Sequence, residues 1–257
     1  MRRRIFVAGV AAAALVGLFV IPAEDNPAVA AEIKVMASDG VRGAVTELAP
    51  QFERATGHKV VVDFDFFVVL KRRIDAGETF DITILSPALI DELIQAGKVA
   101  AGTRTNIARS GLGVAVRKGS PKPDIGSVDA VRRTLLGAKS VGYLKEGASG
   151  KNFLIALERL GIGSEMKPKL KPHDSKSIGP AFESGEVELY VAGAGAVLNT
   201  PGTDFLGTLP SDLQTYVSFA AGVSAGTSNP DAAGALVRHL TSPAAALVLK
   251  AKGLEPN

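Results

Sequence analysis

The stretch that decides the fold is Val141–Gly161, with the sequence VGYLKEGASGKNFLIALERLG. The β-branched and aromatic content of Ser140–Leu144 is typical of a short buried strand. A glycine-flanked turn, Glu146–Gly150, follows, and apolar residues then recur at helical spacing until Gly161. The stretch therefore predicts a strand, a tight turn and a helix in succession.

The turn has two interpretations. The first turn of a helix leaves backbone N–H groups free, and the helix dipole adds positive potential there. An anion can therefore bind at Ser149, Gly150 and Lys151. Alternatively, Ser149 is a plain N-cap that closes an ordinary loop between a strand and a helix. The stretch alone leaves both interpretations open.

The N-terminus has the features of an export signal. Arg2–Arg4 precede the apolar run Ile5–Ile21, and Ala28–Ala30 form a small-residue cleavage site. We expect residues 1–31 to be a signal peptide that is cleaved on export to the periplasm. An uncleaved anchor is less consistent with the run, which falls short of the roughly 20 residues of a spanning helix. The arginines leave the general secretory and twin-arginine routes both open.

Composition excludes several classes of protein. Residues 1–31 contain three arginines, Glu24 and Asp25, so the 29 basic and 26 acidic residues of the chain fall to 26 and 24. A net charge of about +2 gives no reason to expect nucleic acid or a membrane as a partner. The absence of cysteine excludes disulfides, a thiolate nucleophile, a cysteine metal site and lipidation of an N-terminal cysteine.

Strands and helices alternate through the first part of the mature chain. Ile33–Met36, Lys59–Phe64 and Asp81–Leu85 are predicted strands, and each precedes a helical pattern. Successive strand–helix units indicate a parallel sheet with helices on its faces. Pro50 interrupts the first helical pattern, so we expect a kink or a break there.

Two longer apolar strands, Gly111–Val116 and Tyr216–Val223, enclose a middle block with strands and helices of its own. We therefore predict an α/β protein of two lobes with mixed central sheets, joined by two crossover strands, with a ligand cleft between the lobes. Lobe I is predicted at 32–115 plus 220–257, and lobe II at 116–219.

No catalytic constellation emerges. Gly222–Gly226 satisfies the G-x-S-x-G pattern of hydrolases, with Ser224 as the nucleophile. That pattern needs a helix directly after the serine, whereas the next helix start is Pro230. The histidines lack metal-site spacing: His58, His173 and His239. We predict no catalytic residues, no metal and no cofactor, and a secreted hydrolase stays an alternative.

Small polar residues follow several predicted strands. Ser38, Asp39 and Gly40 follow the first strand, Ser86 follows the third, and Ser149 with Gly150 follows the strand of the middle block. Ligands of parallel α/β proteins bind at the carboxyl ends of strands, and clefts between domains favour small molecules. We therefore expect these turns to face a ligand cleft.

Four segments carry a resemblance to the periplasmic molybdate-binding proteins and related receptors of ABC importers: Ile33–Val60, Arg72–Leu93, Gly111–Pro123 and Tyr143–Ile162. The resemblance covers nearly all of 32–257. It implies two lobes that close on a small anion by hinge motion, permease subunits in the inner membrane as partners, and no enzymatic activity. We also expect a monomer. A periplasmic ligand-sensing domain is the alternative.

The resemblance also implies ligand positions, and this chain departs from them. Molybdate receptors present hydroxyls after the first strand and before the second helix, and a tyrosine after a late strand. Those positions fall here on Gly40, on Phe66–Val69 and near Ala192. We therefore expect a small organic acid whose carbon body lies against Phe66 or Phe67, in preference to molybdate, tungstate or sulfate. Alternatively, these aromatics face the lobe core and backbone N–H groups complete an oxyanion site.

Overall fold

The computed structural model describes residues 30–174 and 176–257, so the predicted signal peptide lies outside the described residues except for its last two positions. The strands are β1 Glu32–Ser38, β2 Lys59–Asp65, β3 Ile82–Leu85, β4 Thr105–Arg117, β5 Val141–Leu144, β6 Leu170–His173, β7 Leu189–Gly193, β8 Thr203–Thr208, β9 Tyr216–Val223 and β10 Glu255–Pro256.

The helices are α1 Arg42–Thr56, α2 Phe67–Asp75, α3 Pro87–Gln95, α4 Val128–Gly137, α5 Ala148–Arg159, α6 Gly163–Met166, α7 Ile178–Glu183, α8 Ala194–Leu198, α9 Pro230–Leu240 and α10 Pro243–Ala251. Single 3-10 turns cover Asp39–Val41 and Lys167–Lys169. Within the described residues, no one helix has the length and apolar character to cross a membrane; α9 and α10 together pass the same test, but with a 60° bend between them.

The strands form one curled mixed sheet that serves both lobes, with the order β2-β1-β3-β9-β4-β7-β5-β6. In lobe I, β1 pairs in parallel with β2 and β3, and β9 runs antiparallel to β3. In lobe II, β5 pairs in parallel with β6 and β7. The long strand β4 joins the two, because its first half pairs with β9 and its second half with β7 and β8.

Helices cover both faces of the sheet in each lobe, which explains why the strands are nearly continuous apolar runs. In lobe I, Phe52 of α1 and Leu236 of α9 pack on one face, and Leu70 of α2 with Ile90 of α3 on the other. In lobe II, α4 and α5 supply one core and α7 and α8 the second. The predicted α/β class with two lobes is confirmed.

One detail differs from the sequence-based expectations, namely the helix around Pro50. Helix α1 is continuous through Pro50, which lies on its exposed side; the carbonyl of Thr46, which loses its intrahelical partner, is near solvent there and needs no break. The predicted lobe boundaries at 115/116 and 219/220 fall inside β4 and β9. They remain predictions, since continuous strands do not themselves mark where the lobes move.

Candidate functional site

A cavity of about 280 Å³ lies between the lobes, at the carboxyl ends of β1, β2, β5 and β7. Both lobes contribute to its lining, and the crossover strand β4 adds Ser110. Of the residues predicted to bind the ligand, seven line it: Ser38, Asp39, Gly40, Phe66, Phe67, Ser149 and Lys151. Residues far apart in sequence therefore meet at one place between the lobes.

The turn after β1 forms the polar part of the lobe I wall. The Ser38 hydroxyl accepts a hydrogen bond from the Gly40 N–H at 3.3 Å, which holds the 3-10 turn. Arg42 donates from Nε to Asp39 Oδ1 at 2.9 Å and pairs with the same oxygen through a second nitrogen. A Cβ on Gly40 would lie 2.5 Å from the Phe219 ring. A larger residue at 40 would therefore force the Phe219 ring of β9 to shift.

The aromatic pair at the start of α2 forms the apolar part of the wall. Phe67 packs inside lobe I, with its ring 5.8 Å from that of Phe219. Phe66 instead crosses the cleft and packs against a lobe II cluster that includes Leu144, Ile178 and Tyr190. Both rings also line the cavity. Facing the cleft and packing in a core are thus not exclusive here.

The start of α5 forms the facing wall in lobe II. The N-cap is Gly147, and Ser149 is the second helical residue with no capping hydrogen bond. The plain-cap interpretation of Ser149 is therefore wrong, because the helix begins at Ala148, before this serine. Ser149 is 8% exposed and, within the described residues, its hydroxyl makes no hydrogen bond.

The N–H groups of Gly150 and Lys151 are not free, since both donate to the Gly147 carbonyl, at 3.1 and 3.4 Å. The N–H groups of Ala148 and Ser149 precede them in the first turn of α5, where a helix leaves its N–H groups without intrahelical partners, and both residues line the cavity. Gly150 itself lies outside the lining. A Cβ at Gly150 would be 1.9 Å from the Leu144 carbonyl oxygen, so this glycine allows α5 to approach β5.

Ser86 also lies off the cavity. Its hydroxyl accepts a hydrogen bond from the Leu89 N–H at 3.4 Å and so caps α3. Leu89, three residues later, is the residue of this helix that lines the cavity. Helix α3, which follows β3, therefore contributes an apolar contact in place of the predicted hydroxyl.

The structure adds a tyrosine that sequence reasoning missed. Tyr190 of β7 is 1% exposed and lines the cavity. Burial raises the pKa of its phenol above the usual range, a hydrogen bond with Thr200 lowers it less, and the charge of Asp39 raises it further. The phenol is therefore a neutral hydrogen-bond donor at physiological pH. The resemblance instead placed the receptors' tyrosine position near Ala192, which lies on the same face of β7 two residues later but is enclosed in the core.

The described lining residues include two acidic side chains, Asp39 and Glu146, and two basic ones, Arg42 and Lys151. Arg42, Ser110, Asn199 and Thr200 join Tyr190 as lining residues that the sequence did not single out. The sequence contained a signal for Arg42, because it follows Asp39 by three residues at a helix start. Opposite charges at this spacing can pair.

Ser224 does not have the geometry of a hydrolase nucleophile. Its hydroxyl accepts a hydrogen bond from the Gly226 N–H at 3.2 Å, and the next helix begins only at Pro230. Within the described residues, no hydrogen bond joins Ser224 to a histidine, and Ser224 does not line the cavity. The G-x-S-x-G pattern here forms a turn after β9.

Comparison with known proteins assigns this architecture. The family model described as bacterial extracellular solute-binding protein matches residues 33–255. The chain belongs to this family. The resemblance to molybdate receptors is also confirmed, because this solute-binding protein is 26% identical over 227 residues to the molybdate-binding protein ModA of Escherichia coli (strain K12), covering 86% of this chain and 88% of ModA.

Two further similarities bear on the site. A protein of Pseudomonas sp named aconitate isomerase is 30% identical over 230 residues, which is 87% of each chain. The structure of the periplasmic molybdate-binding protein of Azotobacter vinelandii superposes with a TM-score of 0.72 at 18% identity, covering 86% of this chain and 98% of that one. The solute-binding protein is thus similar to both binding proteins and a named enzyme.

Proposed function

We propose that this protein is the receptor of an ABC importer for a small organic acid. The observation that carries the proposal is the cavity itself, which combines phenylalanine side chains with hydrogen-bond donors from both lobes. Ser149 and the first N–H groups of α5 belong to the lobe II wall. Arg42 belongs to the lobe I wall, next to the turn after β1.

The walls favour a ligand with a carbon body over an inorganic oxyanion. A tetrahedral dianion needs donors on every side, because its charge is costly to dehydrate without them. Phe66, Phe67 and Phe219 present apolar surface where such donors would be needed. The volume of about 280 Å³ is near the lower limit of small-molecule pockets. A compact acid of a few carbons fits this description.

The rest of the proposal follows from family membership and the N-terminus. The signal peptide predicted at 1–31 would deliver the mature chain to the periplasm without a lipid anchor. There it would act as a monomer and pass the ligand to permease subunits, with an ATPase driving the transport. A ligand-sensing domain remains an alternative with the same binding site but a different partner.

Calorimetric titration of the purified mature chain tests the ligand class. We expect saturable binding of propane-1,2,3-tricarboxylate or succinate, and no heat with molybdate, tungstate or sulfate. Submicromolar binding of molybdate would overturn the proposal. Mass spectrometry of ligand carried through purification from native periplasm would identify the natural acid independently.

An isomerase is a second candidate, supported by the similarity to the protein named aconitate isomerase. Asp39 and the neutral phenol of Tyr190 line the same cavity. Shifting the double bond of an unsaturated tricarboxylate removes a proton from its methylene carbon and adds one to the former alkene carbon. A carboxylate such as Asp39 can accept and return this proton, while a phenol stabilises the charge developing on a substrate carboxylate.

Proton NMR in heavy water tests this activity directly. If the protein is an isomerase, cis-aconitate incubated with it converts to the trans isomer and takes up deuterium, and the Asp39→Asn variant loses this conversion. Binding of cis-aconitate without conversion or deuterium uptake would leave the receptor proposal standing and reject the enzyme.

A further inference from the structure

The ion pair of Asp39 and Arg42 is built into the cavity wall. Arg42 lies over the Phe64 ring, 4.3 Å from its centroid, and donates two hydrogen bonds to one oxygen of Asp39. The Asp39 side chain is 14% exposed and that of Arg42 50% exposed. Arg42 is the one guanidinium among the described lining residues, and its preferred partner is already in place.

The turn that carries Asp39 does not depend on this carboxylate. The Ser38 hydroxyl accepts from the Gly40 N–H, and the Arg42 N–H donates to the Asp39 backbone carbonyl. These bonds close the 3-10 turn without the Asp39 side chain. A carboxylate in the wall of a cavity for an anion also opposes binding, because like charges at short range repel.

A second pair in the chain has the same construction but a different location. Arg109 lies 4.1 Å from the Tyr216 ring centroid and pairs with Glu255 at 2.7 Å. This pair ties β4 to the C-terminal strand β10, and neither Arg109 nor Glu255 lines the cavity. An arginine that lies over an aromatic ring and pairs with a carboxylate is therefore not in itself a ligand site. Arg42 differs from Arg109 because it lines the cavity.

From this placement we propose that a ligand carboxylate competes with Asp39 for Arg42, so that the protein selects acids with carboxylates at two ends. The inference rests on the proposed function. One carboxylate takes the Arg42 guanidinium, and the other binds at Ser149 and the first N–H groups of α5. Asp39 then discriminates against monocarboxylates. A monocarboxylate bound at α5 makes no contact with Arg42, because Asp39 keeps this guanidinium paired.

Titration of the Asp39→Asn variant tests the proposal through the direction of the effect. The probe is propane-1,2,3-tricarboxylate, which has no double bond and so reports binding without turnover. We expect its Kd to fall about tenfold or more in the variant, because the competing charge is gone. The Kd of butanoate, a monocarboxylate, should fall by a smaller factor, because one carboxylate cannot bind at Arg42 and at α5 at the same time.

Matched variants separate this effect from a general change of charge. Glu255→Gln makes the same charge change in the Arg109 pair outside the cavity and should leave both Kd values unchanged. Arg42→Gln should weaken tricarboxylate binding about tenfold or more, and in that background Asp39→Asn should no longer tighten it. Thermal melting of each variant confirms that it is folded.

Each outcome of these titrations supports or overturns the inference. Unchanged or weaker tricarboxylate binding in Asp39→Asn would overturn the inference, and weaker binding would show that Asp39 positions Arg42. The proposed function would survive that result, because the wild-type protein would still bind the acid. If the wild-type protein binds no carboxylate at all, both the proposed function and the inference are rejected.

Discussion

Ser149 combines three properties at the scale of one residue: it is buried, it lines the cavity, and it does not cap its helix. We predict that Ser149→Ala weakens binding of an organic acid about ten- to hundredfold, since a hydrogen bond to a charged group contributes about 1.5–3 kcal/mol. The free energy of unfolding should change by less than about 0.5 kcal/mol. Calorimetry and thermal denaturation measure the two effects.

Ser86→Ala is the matched control, because that hydroxyl caps α3 and lies off the cavity. It should cost about 1 kcal/mol of stability and leave affinity unchanged. The opposite pattern, with affinity lost at Ser86 and stability lost at Ser149, would contradict the assignment of the two serines.

Phe66 and Phe67 are neighbours with different packing. Phe66 crosses to lobe II, whereas Phe67 packs beneath Phe219 in lobe I. We predict that Phe66→Ala mainly reduces ligand affinity, about tenfold, by removing an apolar wall that both lobes share. Phe67→Ala should mainly reduce stability, by about 2–3 kcal/mol, because it leaves a gap in a core. Equal effects of both variants on affinity and on stability would show that the two rings have the same role.

At the scale of the element, the start of α5 is positioned by its contact with β5. Gly150 is the closest point, where an added Cβ would meet the Leu144 carbonyl oxygen at 1.9 Å. We predict that Gly150→Ala destabilises the protein by about 2–3 kcal/mol and weakens ligand binding, because the helix must shift away from the strand. Chemical denaturation and titration test the two consequences together.

Gly179 of α7 offers the control for this substitution. Among the described residues, no atom lies within 4 Å of a Cβ placed there, so Gly179→Ala should be neutral or stabilise the protein by up to about 1 kcal/mol. Wild-type stability in Gly150→Ala would mean that α5 is free to move on β5.

At the scale of the whole molecule, a ligand in the cleft joins two lobes that are otherwise connected by the crossover strands and by side chains such as Phe66. A ligand at one hundred times its Kd stabilises the folded state by about 2.7 kcal/mol. For a chain of this length, we predict a rise in Tm of roughly 5–10 °C. A thermal-shift panel of carboxylic acids should show this rise with dicarboxylates or tricarboxylates and none with sulfate or molybdate.

The sequence by itself determined the architecture of this protein. Strand–helix alternation and the two long apolar strands around the middle block are local patterns, and local patterns are set by side-chain periodicity and by Gly, Pro and Ser at element ends. The turns after β1 and before α5 could be predicted for the same reason, because a strand that ends in a small polar turn places that turn at the edge of the sheet.

Only the tertiary structure decided which side chains form the cavity. Tyr190 lies in an apolar strand whose sequence is typical of a core, and its phenol reaches the cavity only because β7 lies beside β4 and β5. Three other features depend likewise on side-chain direction and on contacts between distant segments. They are the N-cap of α5, the packing of Phe66 across the cleft and the placement of Arg42. Such contacts are fixed by how the lobes pack on β4, which no short stretch of sequence encodes.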